Sequence, residues 1–339
     1  MFKKSVTLIA LFVIALSAFM VSGAPVHAQK KPLKIALSLP DLSQPFFVNM
    51  VKQVQEEAAK IGDITIVVMD GQNKTDKQTA DLENVIAQKL DGVLVSPLSV
   101  DAMQPAVQEV VDAKIPVVTI DRNVIGVKTL AHAGADNVRG GELQAELILK
   151  MFPKGARIFN LLGAPGASPA IDRNKGLHNV LDPVKDKYKI VFEQTANWQR
   201  ADGLSVTEAG LAANDAPDVI NAANDNMAFG AVEALKAKNL VGKVVVLGFD
   251  ALPEALLSVK NGEMTGTVDQ LPGGQSRTAL NLIVSFLRDG KSPQKHDNFL
   301  IPIMLTKDNL KDAERIAEIE APATMAATMA PTMAPTAAK

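Results

Sequence analysis

Asp121 and Arg122 stand side by side in "VVTIDRNV", at the end of a short apolar run. A carboxylate is a forked acceptor and a guanidinium a forked donor, so the pair matches two hydroxyls on neighbouring carbons. A loop salt bridge or a helix cap accounts for the same two residues equally well. In an ion pair, Arg122 should hold the Asp121 carboxyl below its ordinary range and make it a poor acid. Arg173 follows the glycines of "GAPGASPAIDRNKG". That stretch lacks the G-K-[ST] of a phosphate loop and a spaced G-x-G-x-x-G, so it reads as a flexible loop holding an arginine. Asn224 in "NAANDNMAFGAV", Asp250 in "GFDALPEAL" and Gln270 in "TVDQLPGG" extend the polar set. Each also has a plain structural reading. Asn224 fits a position just ahead of a helix capped by Asp225, Asp250 a cap before Pro253, and Gln270 a turn.

Rings are scarce, at 4% aromatic with one Trp and one Tyr, so each one stands out. A helix starting at Pro45 in "QPFFVNMVKQVQEEAAKI" carries Phe47, Val51, Val54, Ala58 and Ile61 on one stripe. Phe46 falls off that stripe with Met50, Gln53 and Glu57. A large ring left in water is costly, so something should cover it. Trp198 follows the run "KIVFEQT", and Phe249 taken alone reads as core. Gln44 and Ser96 are further polar residues beside these runs.

Catalytic signatures are missing. No G-x-S-x-G elbow occurs, and His132, His178 and His296 are far apart without metal-ligand spacing. The chain has no Cys, which excludes disulfides, thiolate metal sites and a Cys nucleophile. No metal and no cofactor are expected. A formal charge of −2 gives no reason to expect nucleic acid or an anionic membrane as partner.

The elements that must position these residues are legible as alternating runs. Apolar stretches occur at 33–39, 64–69, 92–96 and 115–120, then again at 156–163, 189–195, 218–223 and 243–249. Helical patterns lie between them, at 76–89, 103–113, 141–151, 203–214, 226–238 and 275–289. Runs that are apolar throughout indicate strands buried on both faces, hence parallel sheets covered by helices. Two successive sets imply two doubly wound α/β lobes, with a boundary near "AGADNVRGG". All the candidate residues come just after an apolar run, and ligands in open α/β sheets bind beyond the carboxyl ends of strands. Two lobes facing each other through those ends would enclose a cleft, and the cleft would cover Phe46.

The chain ends read differently. Lys3 and Lys4, an apolar run from about Val6 to Val21 and "VHAQ" form a secretion signal, with cleavage expected after Ala28. The run is short for a membrane span. A signal of this kind puts the remainder outside the cytoplasm, in a periplasm or cell envelope. Residues 321–339 repeat Thr-Met-Ala-Pro, which cannot bury a core and reads as a disordered tail.

Assembled in order, "QPFF", "TIDR", the A-x-x-R-x-x-G around Arg173, "AANDNMAFGA", "VVLGFD" and "QLP" resemble the periplasmic sugar-binding proteins of the ribose-binding type, from about Leu33 to Ile303. The resemblance implies the type I fold, in which two Rossmann-like lobes are joined by a three-segment hinge. The lobes would be 29–135 with 271–296, and 136–270 with 297–320. It further implies a monosaccharide or polyol ligand, delivery to the membrane subunits of an ABC permease, and a monomer. Phe46 and Phe47 would stack on the sugar. Asp121, Arg122, Arg173, Asn224, Asp250 and Gln270 would bond its hydroxyls, and Phe249 would form a further wall. Trp198 stands where the family has Phe, Pro40 where it has Ser, and Gln44 where it has Asn, so ribose itself does not follow. A sensory protein presenting its ligand to a chemoreceptor and a secreted carbohydrate-active enzyme are the alternative readings.

Overall fold

The computed structural model describes residues 32–320. The secretion signal and the Thr-Met-Ala-Pro tail expected from the sequence lie outside the described residues.

The first half alternates strand and helix: β1 (Leu33–Leu39), α1 (Pro45–Ile61), β2 (Ile64–Asp70), α2 (Thr75–Ala87), β3 (Gly92–Val95), α3 (Gln104–Asp112), β4 (Val117–Ile120) and β5 (Ala131–Ala135). The pattern then repeats with α4 (Asn137–Met151), β6 (Ala156–Leu162), α5 (Ser168–Leu181), β7 (Tyr188–Thr195), α6 (Arg200–Ala213), β8 (Val219–Ala222), α7 (Asp225–Ala237), β9 (Val245–Phe249), α8 (Pro253–Asn261) and β10 (Gly266–Asp269). It closes with α9 (Pro272–Asp289), β11 (Asp297–Leu300) and β12 (Ile303–Thr306).

These strands form two six-stranded sheets, ordered β11-β5-β4-β3-β1-β2 and β12-β10-β9-β8-β6-β7. Every pairing is parallel except β10 with β12. The central strands β3, β4 and β8 are buried at every residue, which is why they read as uninterrupted apolar runs. Helix α1 buries Phe46, Phe47, Asn49, Met50, Val54 and Ala58. The buried face is therefore rotated from the stripe expected, toward Met50 and Phe46, because α1 is covered by α9 as well as by its own sheet.

The chain passes between the sheets at three places: after β5, after β10, and between β11 and β12. The third passage falls at 301–302, not at 296, because β11 pairs in parallel with β5 of the first sheet. At the second passage Leu271 adopts a left-handed conformation (φ 58°) and α9 returns to pack on α1, β4 and β5. In the second lobe α4 and α5 approach closely at Gly141 and Gly176. A Cβ at either would lie 2.0 Å from a backbone oxygen of the other helix, Arg173 O and Val138 O respectively. That contact fixes α5, and with it Arg173.

Candidate functional site

The carboxyl ends of both sheets face one cavity, lined by Gln44, Phe46, Phe47, Asp121, Arg122, Pro169, Arg173, Trp198, Asn224, Asp250 and Gln270. Phe46 is covered here, at the mouth of α1, with its ring edge-on to Phe47 at 5.3 Å. The helix starts at Pro45, whose fixed φ and missing N–H suit the first position, so both rings are delivered at the first turn.

Three lining residues adopt backbone conformations that side chains with a Cβ rarely take: Asp121 (φ 61°), Trp198 (φ 66°) and Asp250 (φ 113°). Each ends or follows a strand, and such strain concentrates where a side chain must be aimed.

The first lobe supplies an acid and a base. The Asp121 carboxylate accepts from Ser96 Oγ at 3.2 Å, and Arg122 Nη1 donates to Leu98 O at 3.2 Å. Arg122 Nε lies 3.9 Å from Asp121 Oδ2, so the two forks are neighbours rather than a bidentate pair. Burial pushes the Asp121 carboxyl up, outweighing the lowering by Arg122 and Arg173. The expectation that Arg122 would hold it down is thus reversed by desolvation, a quantity that adjacency in sequence does not report.

The second lobe mirrors this arrangement. Arg173 is no loop residue: it sits on α5, the helix that the glycines precede. Its Nε donates to Asn137 Oδ1 at 2.8 Å, its Nη1 donates to Ala223 O at 2.6 Å, and Nη1 lies 3.5 Å from Asp250 Oδ1. The guanidinium rests 3.5 Å above the Phe249 ring. Phe249 is therefore the buried platform under Arg173 and not a wall of the cavity. Asp250 does not cap α8, since its Oδ1 accepts from Gln270 Nε2 at 2.6 Å. Burial raises the Asp250 carboxyl to about 7 against the lowering by Arg173. Asn224 serves two purposes. Its Oδ1 caps α7 by accepting from Met227 N at 3.0 Å, and the residue also faces the cavity.

Ser96 lies behind Asp121, and Pro40 is not among the residues that line the cavity. Sequence reasoning missed Pro169, the first-turn proline of α5, although a Pro after a Gly-rich loop is itself a helix-start signal. It also missed Asn226, whose Nδ2 donates to Gln44 Oε1 at 2.6 Å across the mouth. The lobes touch again where Val100 N donates to Gly166 O and Asn123 N to Ser168 Oγ, both at 2.9 Å. Those partners are distant in sequence and meet only because the lobes do.

The site is thus a buried slot with aromatic faces, two aspartates, two arginines and amide groups around its edge. Two carboxyl groups stand against two guanidinium groups with amides between them, a set of forked acceptors and donors that suits a ligand with many hydroxyls. Among the described residues no group of three or more His, Cys, Asp or Glu could hold a metal ion.

Residues 35–292 match the family described as periplasmic binding protein domain, and the chain belongs to that family. It is 36% identical over 304 residues to the ribose import binding protein of Bacillus subtilis, covering 86% of this chain and 96% of that protein. The solved structure of a Caulobacter myo-inositol binding protein bound to myo-inositol is 41% identical, with a TM-score of 0.81 over 85% of this chain and 98% of that one. A solute binding protein of Actinobacillus succinogenes with bound D-allose is 33% identical, with a TM-score of 0.76 over 83% and 99%. The chain is a substrate-binding protein of the sugar-importing type and not an enzyme.

Proposed function

We propose that the cleft binds a neutral monosaccharide-sized ring, with myo-inositol the foremost candidate, and that the closed protein delivers it to an ABC permease. The observation that carries this is the slot itself. Forked donors and acceptors from both lobes surround a space bounded by flat rings, and a ring bearing hydroxyls on every carbon presents an apolar face to the rings and its edge to the forks. The identity to a myo-inositol binder supports a cyclic polyol. Trp198 and Gln44, departures from the ribose pattern, both line the slot and support a ligand other than ribose. The import role of the relatives supports a permease as partner, and the signal-like residues 1–28 support an extracytoplasmic location.

A thermal-shift panel of myo-inositol, D-ribose, D-allose and D-glucose tests the reading. A ligand at 100 times its Kd adds about 2.7 kcal/mol to the folded state. The largest shift is expected with myo-inositol. Ribose as the strongest stabiliser would remove the inositol assignment, and no shift with any of the four would remove the sugar-class reading.

Closure makes a second expectation. The ligand contacts both lobes, so it favours the arrangement in which they meet. Small-angle scattering should show a smaller radius of gyration with saturating myo-inositol than without. An equal radius would mean that the lobes are already closed in the free protein.

A further inference from the structure

We infer that Gly163 is a specificity-determining residue of the cleft: it seats the Trp198 indole flat against the end of β6, and so sets the width of the slot and leaves the indole N–H for a ligand hydroxyl. The inference rests on the cleft being the ligand site and goes beyond it in naming what fixes its dimension.

A Cβ placed on Gly163 would lie 2.1 Å from Trp198 Cη2, 2.3 Å from Cζ2 and 2.5 Å from Cζ3. These are the distal atoms of the indole, so the benzo ring lies on the Gly163 Cα with no room between. The backbone of Gly163 is not in the left-handed region, unlike Gly166 at φ 81°. Space, not conformation, therefore demands glycine here. The loop that carries the ring is tied to the end of β6 as well. Asn197 and Trp198 are both left-handed (φ 48° and 66°), Ala196 N donates to Leu162 O, and Thr195 Oγ1 donates to the Gly163 carbonyl, the last two at 2.8 Å. A bulky residue in that conformation is a strained choice, kept where its surroundings dictate it. What the strain achieves is a fixed plane. The indole faces Arg122 of one lobe at 5.9 Å and Arg173 of the other at 5.6 Å.

The indole nitrogen supplies an independent observation. Trp198 is 8% exposed, and its Nε1–H is buried with no protein acceptor. A buried donor without a partner is costly, and this one belongs to a residue lining the slot. A ligand hydroxyl is the acceptor the geometry leaves for it.

Any side chain at 163 must push the indole into the slot. A phenyl ring at 198 ends short of the atoms that rest on Gly163, so the two positions should be coupled. The test is a cycle of G163A, W198F and the double variant, with myo-inositol as probe by calorimetry. G163A should weaken binding roughly tenfold or more, the scale of an overpacked core site. In the W198F background the same change should cost less than about threefold. W198F alone keeps a ring but removes the N–H, and should lose roughly tenfold. Additive effects would overturn the seating, and unchanged affinity in W198F would overturn the donor. If G163A proves too unstable to titrate, restored folding in the double variant reports the same coupling, and its absence contradicts it.

A ligand-free arm separates this inference from the identity of the ligand. Trp198 is the chain's single Trp, so emission reports it alone. G163A should shift the emission of the free protein to longer wavelength as the ring leaves its seat. An unchanged spectrum would overturn the seating even if myo-inositol binds. If the wild type does not bind myo-inositol but the emission shifts, the seat stands and the ligand assignment falls.

Discussion

Asp121→Asn is expected to weaken ligand binding more than a hundredfold while leaving the fold intact. Asparagine is chosen because Asp121 sits at φ 61°, where Asn is tolerated and Ala is strained. The change keeps the shape and the acceptor toward Ser96 Oγ but removes the charge. Arg122 and Arg173 then face the slot with one fewer counter-charge, and a ligand hydroxyl loses an acceptor that takes two donors. Truncating one member of a buried hydrogen-bonded charge set costs about 2–5 kcal/mol. Calorimetry measures the loss, and circular dichroism with a melting curve shows that the fold is kept. Affinity within threefold of wild type would place Asp121 outside the ligand contacts.

Arg173→Lys is expected to cost as much, although it conserves the charge. The guanidinium spends Nε on Asn137 and Nη1 on Ala223 O and rests over the Phe249 ring while facing the slot. An ammonium is a point donor that cannot bond both partners, stack and reach the ligand together. A loss of about 3 kcal/mol in binding is expected, at the scale for a bidentate charged contact inside a buried site. The readout is the affinity for myo-inositol beside the melting temperature. A lysine variant that binds within threefold of wild type would show that charge alone, and not the fork, is what this position contributes.

Much of this is legible in the sequence. Strands buried on both faces announce themselves as apolar runs, so β1, β3 and β9 were placed to within a few residues. The site followed because it hangs on the ends of those strands. What stayed hidden has physical reasons. β5, "AHAGA", is buried at every residue but built of small side chains, so it carries little hydropathy. β11 alternates exposed and half-buried residues at the edge of its sheet and looks like loop. α5 begins with Ser and Pro after glycines and contains a further Gly, and its only strong marker is Pro169. For the Asp121 carboxyl, adjacency shows the partner but not the burial that outweighs it. Gly163, Asn137 and Asn226 act through residues 35, 36 and 182 positions away, and no local pattern encodes such pairs.

The central claim is that the cleft holds one neutral sugar or polyol and releases it unchanged. Calorimetric titration tests it most directly, using protein unfolded and refolded to strip carried ligand, then titrated with myo-inositol and with the other sugars of the panel. The account predicts saturable binding at one site per chain, tightest for myo-inositol, with the added compound recovered intact. Absence of binding across every neutral sugar and polyol tried, or conversion of the bound compound into another, would contradict it.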